Sequence, residues 1–203
     1  MQICKQSIKD IIVHTFDERV FNNLDDEPFF GYFYSLLLSD DTIGGINHKN
    51  SDLQKLALEK FPSVFRISNG STRLNDTKLN FYWRWYRYLG LGWNDPQGVF
   101  QPLPLERICR CLKSIFGKKK TLDSDTFIKT LSSKCPELDG GILFTKISAN
   151  KERILSTGLS QALCCLNERK IIKLNKGIHE YNNKLIINVD FKKRNTKNTN
   201  IND

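Results

Sequence analysis

The stretch LSQALCCLNERKIIKL, residues 159–174, changes from helical to strand character within a few positions. Its apolar side chains first recur at the three- and four-residue spacing of one helix face, and a run of isoleucines then begins a β-rich segment. We predict a helix over residues 151–169, with its apolar stripe against a core. A strand over Ile171–Leu174 is predicted to follow it.

The residues beyond this stretch predict a β-hairpin. A second β-rich run occupies Leu185–Val189, and turn-forming residues at Asn175–Gly177 and Asn182–Asn183 lie between the two runs. A helix that leads directly into such a hairpin is typical of a winged helix-turn-helix, in which the hairpin forms the wing.

Two more helices are predicted upstream. Apolar residues at helical spacing predict a helix over Leu105–Phe116 that stops at the following glycine. Asp123 or Ser124 is well suited to begin another helix, because short polar side chains cap free backbone N–H groups. Three helices followed by a hairpin predict a winged-helix domain over residues 105–191.

The amino-terminal part is predicted to be a helical domain over residues 1–92, a candidate for partner binding. The helices expected there cover Ser7–Thr15, Glu27–Leu38 and Ser51–Lys60. Residues 93–104 are rich in Gly and Pro and are interpreted as a linker, and the basic, Asn-rich tail 192–203 is predicted to be disordered. The fold class we expect is therefore mainly α, with a winged helix and its β-hairpin at the carboxy-terminal end.

The segment LNFYWRWYRYLGL, residues 79–91, concentrates aromatic side chains on one predicted helix. Arg84 and Arg87 interrupt them three residues apart and so share a helix face. Interleaved arginine and aromatic side chains can stack on bases and bind phosphates. Aromatic side chains in this number more often form a core that joins two layers, and we favour that interpretation.

Charge is distributed unevenly along the chain. The formal net charge is +9, but residues 1–60 hold 6 Lys and Arg against 10 Asp and Glu, and the remaining residues hold 25 against 12. A basic surplus confined to the later part favours a polyanionic partner for that part. The alternative is a basic domain without a nucleic-acid partner.

The winged-helix interpretation yields a set of candidate DNA-binding residues. In such a domain the third helix enters the major groove, so the face opposite its apolar stripe is expected to present Thr157, Ser160 and Gln161. Gln161 could contact the edge of an adenine. The candidate phosphate contacts are Lys151, Arg153, Lys170, Lys173, Lys176 and Lys184.

A secondary basic and aromatic patch is also a candidate for phosphate contact. It comprises Arg84 and Arg87 on the aromatic helix and the run Lys118, Lys119 and Lys120. That run follows the end of a predicted helix, where cations are favourable in any case. A solvated helix end is the alternative interpretation of the three lysines.

No residue pattern indicates catalysis, a metal site or a cofactor. The six cysteines lack zinc-ligand spacing and are expected to be reduced thiols, and the three histidines stand alone. No P-loop, nucleophile elbow or other catalytic motif is present, so we expect no catalytic residues and no enzyme. No signal peptide precedes the cysteines and no stretch is a candidate membrane span, so we expect a cytoplasmic protein with no membrane partner. We also expect no small-molecule substrate.

Three segments carry a resemblance to a known family: WRWYRYLGLGW at 83–93, GVFQPLPLERICRCLKSIFG at 98–117 and KCPELDGGILF at 134–144. Over about residues 81–190 the chain resembles DpdG-type proteins, which are encoded in bacterial loci that install 7-deazaguanine bases in DNA and restrict foreign DNA. The resemblance implies a non-catalytic component of an anti-phage defence system.

Two hypotheses of function follow. The first is a DNA-binding or adaptor subunit of a prokaryotic DNA modification and restriction system, which holds the duplex backbone through a basic winged helix while other proteins of a multi-subunit complex bind elsewhere. The second is a pure protein–protein interaction subunit with no nucleic-acid contact.

Overall fold

The computed structural model describes residues 7–21, 28–39, 50–67, 70, 72–147, 155–177 and 186–191. Within these residues the chain is mainly helical. The helices are α1 (Ile8–Phe16), a π-helical turn (Asp17–Phe21), α2 (Pro28–Ser39), α3 (Asn50–Lys60), α4 (Pro62–Phe65), α5 (Asp76–Tyr88), α6 (Leu105–Phe116), α7 (Ser124–Lys134), α8 (Ile142–Ile147) and α9 (Thr157–Glu168). The strands are β1 (Gly92–Asn94), β2 (Phe100–Pro102), β3 (Thr121–Asp123), β4 (Ile172–Gly177) and β5 (Ile186–Phe191).

Local capping signals locate the amino-terminal helices where the sequence predicts them. Ser7 caps α1 in a reciprocal capping box, in which its Oγ accepts from the Asp10 N–H at 3.1 Å and the Asp10 carboxylate accepts from the Ser7 N–H at 3.2 Å. Helices α2 and α3 also confirm the predicted helices to within a few residues. The π-helical turn that continues α1 was not predicted, and it carries the buried Asp17.

Helix α2 is the central core helix. Its residues from Phe30 to Leu38 are all buried, in agreement with the strongly apolar sequence. Tyr34 donates a hydrogen bond to the Leu91 carbonyl at 2.6 Å, and Ser35 donates to the Glu137 carbonyl at 2.9 Å. The same helix packs against α8 and α9. Helix α2 therefore contacts elements that lie up to 120 residues later in the chain.

The aromatic helix α5 is mainly a core element. Asn75 caps it by accepting from the Lys78 N–H at 2.8 Å, and Gly90 follows it with a φ of +69°. Tyr82 and Tyr86 are buried, and the Tyr86 hydroxyl donates to the Phe30 carbonyl at 2.7 Å. The core interpretation of this segment agrees with these contacts.

Residues 93–104 contain the β1–β2 hairpin. Asp95 holds its turn by accepting from two backbone N–H groups, and the Leu103 N–H donates to the Leu91 carbonyl at 2.8 Å. Buried residues before and after this hairpin belong to one hydrophobic cluster. The division into two domains at this point stays a prediction.

The carboxy-terminal part combines α6 to α9 with a three-stranded antiparallel sheet. The strand order is β3-β5-β4, so β5 lies in the middle, with Asp190 opposite both Thr121 and Lys173. Strand β3 and helix α8 were not predicted, since three-residue strands and six-residue helices show no periodic signal. The hairpin strands themselves confirm the prediction of a β-hairpin.

Two predicted boundaries in this part are wrong. Asn175–Gly177 is not a turn but the end of β4, where it pairs with Ile186–Asn188. The third helix does not run from residue 151 through to 169, because Leu155 and Ser156 are not helical and Ser156 is the N-cap of α9. Residues 151–154, like the tail 192–203, lie outside the described residues.

A buried ion network joins the amino- and carboxy-terminal parts. Arg107 on α6 places its Nε 2.9 Å from Glu137 Oε1 and its Nη1 3.0 Å from Asp17 Oδ2. Arg110 binds the same Asp17 carboxylate through two nitrogens, at 2.8 and 3.1 Å. Burial works against the charged form of Arg107, but Glu137 and Asp17 raise its pKa above the ordinary value. Burial raises the pKa of Glu137, and the positive charge of Arg107 opposes this rise.

Replacing Arg107 by Met is expected to lower the free energy of unfolding by about 3–5 kcal/mol at neutral pH, because it leaves the buried Glu137 carboxylate without its cation, whereas Asp17 keeps Arg110. Without the cation the pKa of Glu137 rises further in the folded state. The folded protein then binds a proton that the unfolded chain has released, so the loss of stability should be smaller at acidic pH and grow as the pH rises.

Urea denaturation over a pH series measures this effect. The matched control is Arg87→Met, since Arg87 is exposed and donates to the Trp83 carbonyl of its own helix. It should change stability by less than about 0.5 kcal/mol. Equal effects of the two substitutions would contradict the structural role of Arg107.

Candidate nucleic-acid interface

Helix α9 begins at a well-defined cap. Ser156 Oγ accepts from the Leu159 N–H at 3.3 Å and donates to Asp139 Oδ2 at 2.7 Å, while the Ser156 N–H donates to Asp139 Oδ1. Burial raises the pKa of Asp139, and its hydrogen bonds with Ser156 oppose that effect. The turn that precedes α8 thus determines where α9 starts.

The orientation of α9 agrees with the predicted one. Leu159, Leu163 and Leu166 are buried, which confirms the apolar stripe. Thr157 and Gln161 are exposed on the opposite side, and Ser160 is half-buried. No Lys or Arg occurs between Thr157 and Glu168, so the exposed face of the helix is polar but carries no cation.

The first turn of α9 packs closely against the amino-terminal part. A Cβ atom at Gly158 would come within 2.5 Å of Leu38 on α2 and 3.0 Å of the Pro102 carbonyl oxygen on β2. Only a residue without a side chain permits this approach. The start of α9 is therefore partly covered, and Gln161, one turn later, is exposed with an amide group that can both donate and accept a hydrogen bond.

Two of the predicted phosphate contacts lie together after α9. Lys170 is exposed and has a φ of +57°, in the turn that joins α9 to β4. Lys173 is exposed on β4. Lys176 lies in β4, but its side chain is outside the described part, and Lys151, Arg153 and Lys184 lie outside the described residues.

The structure divides the secondary patch: its lysine run lies at the same end of the sheet as Lys170 and Lys173, whereas its two arginines lie on α5. Lys120 precedes Thr121, so the register places it at the end of the sheet where Ile172 pairs with Phe191. The opposite end of the sheet leads into residues 178–185. Lys118, Lys119 and Lys120 are all exposed there. Arg84 and Arg87 are exposed on α5, which belongs to the amino-terminal aromatic core.

The sequence interpretation missed the residues that position α9. Asp139 stands in an Asp-Gly-Gly sequence, which is typical of a turn whose acidic side chain accepts backbone hydrogen bonds, but nothing in that sequence identifies Ser156 as its partner. Ser156 also resembles a helix start by residue type, but the apolar pair at 154–155 extends the helical spacing across it.

Two further features bear on the candidate site. The described residues contain no group of three or more His, Cys, Asp or Glu side chains that could hold a metal ion. Within the same ranges, no helix combines the length and the apolarity needed to cross a membrane.

The sequence profile of the DpdG-like family matches residues 25–177, more than half of the chain. The chain belongs to the DpdG-like family. The match starts at residue 25, so the family likeness includes α2 and α3, which lie before the segments that carry the resemblance in the sequence. No curated protein and no solved structure matches the chain.

Replacing Ser156 by Ala should lower the free energy of unfolding by about 0.5–2 kcal/mol, because the substitution removes the cap of α9 and leaves the buried Asp139 with one partner fewer. Chemical denaturation followed by circular dichroism measures the loss. Ser133→Ala is the matched control, since Ser133 is exposed on α7 and donates only to the Thr130 carbonyl. Equal losses in free energy of unfolding for the two variants would show that the Ser156 cap does not stabilise the fold.

Proposed function

We propose that this DpdG-like protein is a non-catalytic DNA-binding subunit of a prokaryotic DNA modification and restriction system, and that its carboxy-terminal part is a winged helix that holds the duplex backbone. The observation that carries the proposal is the order of elements α6-β3-α7-α9-β4-β5 with the sheet order β3-β5-β4. Helix α9 precedes the β4–β5 hairpin, and the second hairpin strand, β5, pairs with β3, which lies between helices α6 and α7 in the chain. Winged-helix domains have the same arrangement. Helix α8 is an insertion before the third helix.

The exposed side chains support contact with the DNA phosphate backbone more than recognition of specific bases. Lys170 and Lys173 follow directly on α9, where they would meet phosphates beside the groove that the helix enters. The helix face itself offers Gln161 as its one residue suited to bidentate contact with a base. The close packing at Gly158 also limits how far the start of α9 can enter a groove.

The family supports the cellular setting of the proposal. The resemblance of the sequence to DpdG-type proteins implies a bacterial locus that modifies and restricts DNA. A subunit that holds DNA without reacting with it would present the duplex to other proteins of such a system, in the cytoplasm where those proteins act.

Binding to a random-sequence duplex across a salt series tests the proposal. The wild-type protein should bind with an affinity that falls steeply with salt, because each phosphate contact releases counterions. The double variant Lys170→Gln/Lys173→Gln should bind more weakly, with a slope of log affinity against log salt reduced by about 2.

The control for this experiment is Lys55→Gln/Lys60→Gln, which removes the same charge from α3 in the amino-terminal part. It should leave the slope unchanged. Absence of binding at low salt, or equal slopes for the two double variants, would overturn the DNA-binding proposal.

A specific observation also favours the second candidate, a protein-interaction subunit. Ile8, Ile11 and Ile12 on α1 are 78%, 50% and 37% exposed, and they form one apolar helix face. Phe81 and Tyr88 on α5 are also exposed, and Lys9 of α1 lies 5.8 Å from the centre of the Tyr88 ring. Exposed apolar side chains in such a group are typical of surfaces that bind another protein.

Co-purification with the products of neighbouring genes tests this candidate. The double variant Ile8→Asp/Ile11→Asp should lose a partner that the wild-type protein retains, with unchanged circular dichroism. Ile142→Asp is the control, because Ile142 on α8 is 51% exposed at a different site. Retention of every partner by the double variant would exclude this face as the docking surface.

A further inference from the structure

Two thiols of the carboxy-terminal part lie within reach of each other. Cys111 on α6 and Cys135 at the end of α7 place their sulfur atoms 3.6 Å apart, and neither is in a disulfide. Both are buried, Cys135 completely and Cys111 with 9% of its surface exposed. A disulfide bond needs a separation of about 2.0 Å, so the two sulfurs would have to approach by about 1.5 Å.

The surroundings make Cys111 the more reactive of the two. The Cys135 thiol hydrogen-bonds to it and lowers the pKa of Cys111 to about 7, and the charge of Arg107 contributes, although burial opposes both effects. The Arg107 guanidinium lies close to this thiol, with Nη1 3.9 Å from the Cys111 sulfur. The hydrogen bond with Cys111, together with burial, raises the pKa of Cys135. Of the two thiols, Cys111 is therefore the one that ionises first, with Cys135 as the proton-bearing partner.

We propose that Cys111 and Cys135 are a redox-active pair that forms a reversible disulfide when a small peroxide oxidises Cys111. The Cys111 thiolate attacks one peroxide oxygen, so that an S–O bond forms and the O–O bond breaks; the departing hydroxide takes up the proton that Cys111 had released and leaves as water. The Cys135 sulfur then attacks the Cys111 sulfur of the sulfenic acid, the S–S bond forms, the S–O bond breaks, and the hydroxyl group leaves as a second water with the Cys135 proton. Two thiols lose two hydrogen atoms, and the peroxide is reduced to two waters.

The bond would act on the segment that positions α9. Cys135 is the C-cap of α7: its N–H donates to the Leu131 carbonyl at 2.8 Å, while its φ of −129° and ψ of 77° lie outside the helical region. It begins the short segment that carries Glu137 and Asp139. A disulfide between α6 and this segment would restrain Asp139, which binds the N-cap residue Ser156 of α9. This effect does not depend on whether α9 binds DNA.

Peptide mapping of the folded, full-length protein tests the proposal. Trypsin separates the relevant cysteines, because Cys111 falls in the peptide Cys111–Lys113, Cys135 in Cys135–Lys146 and Cys109 in Ile108–Arg110. After treatment with hydrogen peroxide, digestion without reductant should yield Cys111–Lys113 linked to Cys135–Lys146, lighter than the two thiol peptides together by two hydrogen atoms. Dithiothreitol should restore the separate peptides.

A thermal measurement gives a second readout. Oxidation should raise the melting temperature by about 5 °C, because the bond closes a loop of the unfolded chain. Cys111→Ala and Cys135→Ala should each abolish the shift and the linked peptide, whereas Cys164→Ala, at an exposed cysteine of α9, should abolish neither. A linked peptide that involves Cys109 instead, or that forms only after denaturation, would overturn the proposal.

Discussion

The fold depends on one buried guanidinium. Arg107 contacts two separate parts of the chain: its Nη1 forms an ion pair with Asp17, and its Nε and Nη2 donate to Glu137 and to the Lys134 carbonyl, the latter at 3.0 Å. Its side chain is only 3% exposed, and a buried charge of this kind is tolerated only where it is paired and hydrogen-bonded. The π-helical turn, α6 and the end of α7 are therefore held in one arrangement.

The candidate interface is connected to this network through the segment 135–141. Glu137 binds Arg107 through its carboxylate and accepts from Ser35 of α2 through its carbonyl, and two residues later Asp139 holds the cap of α9. The helix proposed to meet DNA is thus positioned by contacts that begin in the amino-terminal part.

The sequence predicts those parts of the fold that are determined locally. Helices such as α5 and α7 have capping residues next to them and an apolar spacing of their own, so their positions follow from a few adjacent residues. Strand β3 is too short to show a period, and it becomes a strand only because β5 provides a partner. The Arg107 network could not be predicted, because its members are separated by 30 to 90 residues and their residue types are common on protein surfaces.

The candidate site also has a part that is determined locally and a part that depends on distant residues. The exposed face of α9 could be predicted from the spacing of its leucines, whereas the start of the helix could not, because it depends on Asp139, 17 residues earlier. That start matters for function. Had the helix begun at residue 151, Lys151 and Arg153 would have placed cations on its first turns. With α9 starting at Thr157, its face lacks cations, and the electrostatic attraction to a polyanion has to come from residues outside the helix, beginning with Lys170 and Lys173.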